Sequence, residues 1–225
     1  HLAQYVGKTD KLNFHLVLQM KKYSLYLFDF DGTLFDTAES LKEIYRMTFA
    51  KYDIVPTKKD YTTFITLSLP RAMKYKGIDS KYQKEFCSYF NKNVLSKEVV
   101  KKTKLYPDSI KFIKFLMKQK DFKYGIVSGS SAKRVKMVLT YLKLDYKKFS
   151  VIVGNELYQK SKPAADPILV ALKKTKYLNK KDQVVYIGDA KQDLDCAKNA
   201  GVSYINIKRP HNKKGDIKSL FDLFK

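Results

Sequence analysis

Tryptophan is missing from the 225 residues, cysteine occurs only twice, and arginine is scarce among basic residues that are overwhelmingly lysine. Cys87 and Cys196 lie far apart in sequence and share no metal-ligand spacing. This excludes a disulfide framework or a zinc ribbon and leaves two buried or idle thiols in a reducing compartment. No run approaches the roughly 18 consecutive apolar residues of a membrane span, and the first residues lack a cleavable secretory pattern. The expected location is therefore the cytoplasm, with no membrane partner. Internal repeats and low-complexity linkers are also lacking, which argues against solenoids and strings of small modules.

What is present suits a globular chain. Hydrophobic residues make up 44% and aromatics 14%, enough to build a core and to exclude wholesale disorder. The length accommodates one large domain, or a core with a smaller insert. The net charge of +23 is large enough to hold nucleic acid by counterion release or to attract anionic substrates. The lysines, however, are spread along the whole chain with no arginine-rich block. Their abundance beside many Tyr and Phe reads as a compositional bias of the source, so no nucleic-acid partner is expected from charge.

Four short, nearly continuous apolar runs read as buried parallel strands: residues 23–28, 123–127, 150–153 and 183–187, with a weaker one at 203–207. Helical patterns lie between or beside them at 109–118, 132–142, 167–176 and 191–200. This alternation predicts an α/β fold, a Rossmann-like parallel sheet flanked by helices. Residues 38–104 break the pattern. Segments 38–52, 60–64, 70–76 and 81–100 all read as helix, which predicts a small all-helical cap inserted into a core formed by 20–37 and 105–225. Phe14, Leu16, Leu18 and Met20 alternate like a strand, yet Met20 suits a natural start. Residues 1–19 are therefore expected to be an N-terminal extension, either an expression remnant or a leader.

The strand ends gather chemistry. The first apolar run ends in Asp29-Phe30-Asp31, the second in Ser128-Gly129-Ser130, and the fourth in Gly188-Asp189, with Asp193 four residues on. Ligands bind at the carboxyl edge of an open parallel sheet, so an acidic pair, a hydroxyl and further carboxylates converge there. Lys162 follows in "SKPAADP". Mg²⁺ prefers hard oxygen ligands and commonly joins one or two carboxylates to a phosphate, which suits Asp29 and Asp189. An Asp can attack phosphorus, and a second carboxyl can protonate the leaving oxygen and then activate water. Ser128, the backbone amides at Gly129, and Lys162 can hold phosphoryl oxygens. Taken singly, Asp-Gly is an ordinary turn, Lys-Pro an ordinary surface pair, and a serine after a strand an ordinary helix cap. Only their order and common placement favour a site.

"FDFDGTLFDT", "VSGS", "SKPAADP" and "GDAKQDLDCAKNAG" resemble the four ordered motifs of the haloacid dehalogenase-like hydrolase superfamily. The resemblance extends from about Tyr23 to Arg209. With its helical insert after the first motif, the chain looks like the phosphoglycolate phosphatase and β-phosphoglucomutase branch. The resemblance implies Asp29 as nucleophile and Asp31 as general acid/base. It implies Mg²⁺ on the Asp29 carboxylate, the Asp31 backbone carbonyl and Asp189, with Asp193 in support and Ser128, Gly129 and Lys162 on the phosphate.

Within the family, Asp31 argues against a dehalogenase, which has no alkoxide to protonate. Mutases place a histidine ten residues after the general acid/base, and Leu41 stands there in this chain. The expected activity is thus hydrolysis of a small phosphorylated metabolite, such as phosphoglycolate, a sugar phosphate or a nucleotide, through an aspartyl-phosphate. The alternatives are a β-phosphoglucomutase-like mutase and, from another class, a basic nucleic-acid-binding protein with a vestigial site. Thr66, Ser68 and Arg71, in the stretch that resembles the branch's specificity loop, are the candidate substrate contacts in the cap. A helix start capped by Ser68 accounts for the same residues. A monomer or weak dimer is expected.

Overall fold

The computed structural model describes residues 23–64, 67, 69–120 and 123–224. The expectations for residues 1–19 and for Thr66 and Ser68 fall outside these described residues. Five parallel strands form the central sheet: β1 (Leu25–Phe28), β4 (Lys123–Val127), β5 (Val151–Val153), β6 (Val184–Gly188) and β7 (Ser203–Asn206), in the order β5-β4-β1-β6-β7. Each predicted run becomes a strand, shifted at its ends by a residue or two.

The runs are continuous rather than alternating because both faces of the sheet are covered. Tyr26, Phe28, Ile126 and Ile187 pack on one side with α6 (Pro107–Leu116) and α7 (Ala132–Tyr141). Leu25, Leu27, Val127 and Tyr186 pack on the other with α8 (Asp166–Thr175) and α9 (Lys191–Ala200). Neighbouring residues of β1 thus serve opposite cores, as a period of two requires. Phe28 is level with Ile126 on one side and Ile187 on the other. The residues just beyond them, Asp29, Ser128 and Asp189, therefore emerge together at one edge.

The described residues of 38–102 contribute no strand to this sheet. They hold α1 (Ala38–Ala50), α2 (Lys58–Phe64), α3 (Leu69–Tyr75), α4 (Gln83–Val94) and α5 (Lys97–Lys102). The first four share an aromatic core of their own, in which Phe49 and Phe64 stack at 4.9 Å and Tyr45, Met73 and Phe86 are buried around them, whereas Val100 on α5 joins the core beside α6 and α7. The single helix expected over 81–100 is in fact two. Leu95 ends α4, and Ser96 turns extended so that its hydroxyl accepts from the Val99 N–H at 3.3 Å, capping α5. A serine hydroxyl offered to the backbone competes with helix continuation.

A second small element was not expected. β2 (Phe35–Asp36) pairs antiparallel with β3 (Lys104–Leu105), matching Phe35 to Leu105 and Asp36 to Lys104. The two crossings between the helical segment and the sheet-bearing part run side by side.

Candidate active site

The turn after β1 is set by Gly32, at φ +83°. Its N–H donates to the Phe35 carbonyl at 2.8 Å, while the Phe35 N–H returns to Phe30 at 3.1 Å. The chain reverses within five residues and leaves Asp29 buried and Asp31 facing a cavity. Glycine meets the left-handed conformation at little cost.

Lys162 organises the buried half of the site. Its Nζ donates to Asp29 Oδ1 at 2.7 Å and to Asp193 Oδ1 at 2.6 Å. The Tyr186 hydroxyl, on β6, also reaches Asp193 Oδ1 at 3.2 Å, and Asp193 Oδ2 accepts the Ala190 N–H at 3.1 Å. Asp193 is thereby committed to Lys162 and to the start of α9. Asp189 receives the Thr33 hydroxyl, stands 2.6 Å from His211 Nε2, and its backbone carbonyl accepts from Asn212 at 2.8 Å. Carboxylate oxygens of Asp29, Asp189 and Asp193 lie within 4.8 Å of one another.

Three clustered carboxylates facing one ammonium leave an excess of negative charge. Burial, countered by Lys162 but reinforced by Asp193, Asp189 and Asp31, pushes the Asp29 carboxyl well above its ordinary range. Burial alone would lower the Lys162 ammonium, but Asp29 and Asp193 hold it above its ordinary value. Hard oxygens at this spacing, short of positive charge, fit a divalent cation such as Mg²⁺.

Asp31 sits in different surroundings. Arg134 Nη1 donates to its Oδ1 at 2.9 Å, and the Ser130 hydroxyl to its Oδ2 at 2.8 Å, with Ser128 Oγ at 3.4 Å. Burial would raise its pKa, but the Arg134 charge and these hydrogen bonds outweigh burial and hold the carboxyl below its ordinary range. Ser128 is itself buried at the end of β4, and its Oγ accepts the Ser130 N–H at 2.9 Å.

The cavity beside Asp31 measures about 820 Å³. Gly129, Ser130 and Arg134 form its floor with Asp31, and Leu41, Ile44, Phe90 and Val94 bring apolar walls from α1 and α4. Arg71 lies exposed on α3 and does not line this cavity. The site thus brings together Asp29, Asp31, Ser128, Gly129, Lys162, Asp189 and Asp193, but leaves Arg71 apart. Thr33, Ser130, Arg134 and His211 were not anticipated. The placement of Ser130 two residues past Ser128 was the one available signal.

The model of the haloacid dehalogenase-like hydrolases matches residues 26–207. A phosphoglycolate phosphatase of Aquifex aeolicus is 30% identical over 176 residues, 78% of this chain and 80% of its own. A pyrophosphatase PpaX of Listeria monocytogenes is 29% identical over 184 residues, covering 80% of each. Among solved structures, a haloacid dehalogenase-like hydrolase from Bacteroides fragilis superposes with a TM-score of 0.74 at 26% identity, over 90% of this chain and 100% of that one. Motifs, fold and these likenesses converge: the chain belongs to the haloacid dehalogenase-like hydrolase family.

Proposed function

We propose that the protein is a Mg²⁺-dependent phosphatase that hydrolyses a small phosphorylated metabolite through an aspartyl-phosphate on Asp29. The observation that carries this reading is the contrast between Asp29 and Asp31. Two carboxylates two residues apart sit in opposed electrostatic settings, one beside Lys162 and further carboxylates, the other clamped by Arg134 and Ser130. Lys162, together with a cation held at the Asp29 carboxylate, would keep that group ionised for attack, while Asp31, fixed on both oxygens at the edge of the cavity, is placed to exchange a proton.

In the first half-reaction the Asp29 carboxylate attacks phosphorus and the bond to the leaving oxygen breaks. That oxygen takes the proton of the Asp31 carboxyl. In the second half-reaction water attacks phosphorus, Asp31 takes a water proton, and the bond to Asp29 breaks to release phosphate. The negative charge of an entering phosphoryl group opposes Arg134 and favours the protonated form of Asp31 that the first step needs. Lys162, the Ser128 hydroxyl and the amides at Gly129 hold the phosphoryl oxygens. Asp29, the Asp31 carbonyl and Asp189 would hold Mg²⁺, with Asp193 fixing Lys162; bound there, the ion would draw charge from the phosphoryl oxygens.

Residues 38–104 serve in this reading as a cap over the cavity, turning about 36–37 and 105–107 and excluding water when closed. The apolar walls from α1 and α4 select the substrate's organic part. Leu41 lines the cavity where a mutase would carry histidine, so hydrolysis is favoured over phosphoryl shuttling. The PpaX relatives are named pyrophosphatases and the Aquifex relative a phosphoglycolate phosphatase, which sets small anionic phosphates as the first substrates to try.

The test is phosphate release from a panel of phosphometabolites and pyrophosphate, with Mg²⁺ and with chelator. Activity should require the ion and fall at least about a thousandfold in Asp29→Asn. Robust turnover in that variant, or indifference to chelator, would overturn the reading.

A further inference from the structure

We infer that Arg134 is a positioning residue that makes the orientation of Asp31 depend on the first turn of α1, through Ser40. The inference rests on the phosphatase reading above, in which Asp31 moves the leaving-group proton.

Arg134 stands on α7, on the sheet-bearing side, yet its guanidinium joins three elements. Nη1 donates to Asp31 Oδ1 at 2.9 Å and to Ser130 Oγ at 2.6 Å, and Nη2 donates to Ser40 Oγ at 3.1 Å. Ser40 belongs to α1 and is fully buried, and its own hydroxyl proton goes to the Thr37 carbonyl at 2.8 Å. That leaves a Ser40 lone pair to receive Arg134. With Ser130 on the other carboxylate oxygen, both oxygens of Asp31 are fixed.

A merely structural role explains this arrangement poorly. Arg134 is only 4% exposed, and its Nε is buried without a hydrogen-bond partner among the described residues. Leaving such a donor unmet is destabilising, a penalty that a helix position facing a core could avoid with an apolar residue. The chain has four arginines among 45 basic residues. A planar fork that serves several acceptors at once is what lysine cannot supply. The Phe30 ring, 5.8 Å from the guanidinium carbon, adds a face on which the fork can rest.

The linkage has a direction. Ser40 follows the β2 crossing by only a few residues, so movement of α1 away from the sheet withdraws the Nη2 acceptor. The guanidinium then keeps one anchor fewer and Asp31 loses its fixed orientation. Proton transfer is thereby confined to the arrangement in which Ser40 on α1 reaches Arg134.

Leaving-group dependence tests this. Phenyl phosphate has a poor leaving group and needs the Asp31 proton, whereas p-nitrophenyl phosphate barely does. In Arg134→Lys, which keeps the charge, and in Arg134→Gln, kcat/KM for phenyl phosphate should fall at least about tenfold more than for p-nitrophenyl phosphate. Ser40→Ala should show the same discrimination at about threefold, and it serves if either Arg134 variant fails to fold in a melting scan. Equal losses on both esters, or an Arg134→Lys variant matching wild type, would overturn the inference. Asp31→Asn is the control: if it fails to discriminate, the role given to Asp31 falls instead. A wild type that turns over neither ester overturns both.

Discussion

Gly32 and Asp189 stand so close that a Cβ at position 32 would lie 2.8 Å from Asp189 Oδ2. The next residue, Thr33, donates its hydroxyl to the other oxygen of the same carboxylate. The turn after β1 is thus packed directly against a carboxylate delivered by β6. Gly32→Ala would meet both a left-handed backbone penalty of about 1–2 kcal/mol and a clash that displaces Asp189. Melting curves with and without Mg²⁺ should show a lower Tm, together with loss of the Mg²⁺-induced rise expected of the wild type. An alanine variant with an undiminished Mg²⁺ response would show that Asp189 is not a ligand.

Lys162→Met should destabilise the fold by about 3–5 kcal/mol, because it leaves Asp29 and Asp193 buried without their shared cation. Adding Asp29→Asn removes one stranded charge and should restore part of the loss. Guanidinium unfolding of the single and double variants measures both effects. A double variant no more stable than Lys162→Met would contradict this electrostatic account.

Glu43 on α1 links to α5. Arg46 bonds to both of its oxygens, at 3.0 and 2.6 Å, and Lys102 adds a third contact at 3.1 Å. The Arg46 bonds, opposed by burial and helped by Lys102, bring its carboxyl from 4.5 down to about 2. A depressed carboxyl stabilises the fold fully above its unfolded value and loses that contribution as pH falls from 4.5 through about 2. Glu43→Gln should therefore lower Tm by a constant amount from pH 7 to about 5, with the gap narrowing in more acid solution. Both cations are about half exposed, so the effect should be only about 1 kcal/mol and shrink in salt. A gap that widens on acidification would refute the sign.

Cys196 is buried on α9, its Sγ 2.9 Å from the Ala164 carbonyl, and burial pushes its thiol up to about 11. A thiol so placed presents almost no thiolate at neutral pH. Ellman's reagent should titrate one thiol in the native protein, the half-buried Cys87, and two in guanidinium. Rapid native reaction of both would show that α9 opens readily.

The central strands were legible because a sheet covered on both faces leaves a run such as Leu25–Phe28 with no polar interruption. Asp29, Ser128 and Asp189 were legible because each stands at the end of such a run. Arg134 was not. In "SAKRVKMVL" it occupies an ordinary polar position of an amphipathic helix, and only the approach of α1 and the β1 turn buries it. His211 reaches Asp189 from a loop after the last strand, by a contact 22 residues long in sequence that no periodicity encodes. Two-residue strands such as Phe35–Asp36 are too short to carry alternation at all. The break at Ser96 did leave a trace, a serine three residues before Val99, but the helical propensity on either side masked it.

The β2–β3 pairing has a consequence for how such chains diversify. Asp36 and Lys104 face one another across an antiparallel pair, where partner Cα atoms are about 4.5–5.5 Å apart. Everything between them is a parenthesis in the chain, opened and closed at one spot on the rim of the sheet. A two-residue hairpin turn would span the same gap, and an insert of another size would meet the same two anchors, since closure entropy grows only slowly with loop length. Exchange of this segment leaves Asp29, Lys162, Asp189 and Asp193 on their own strands and loops. The buried carboxylates and the helices that wall the cavity are thereby carried on separate stretches of one gene, and the bond from Arg134 to Ser40 is a point at which a change in one must be matched in the other.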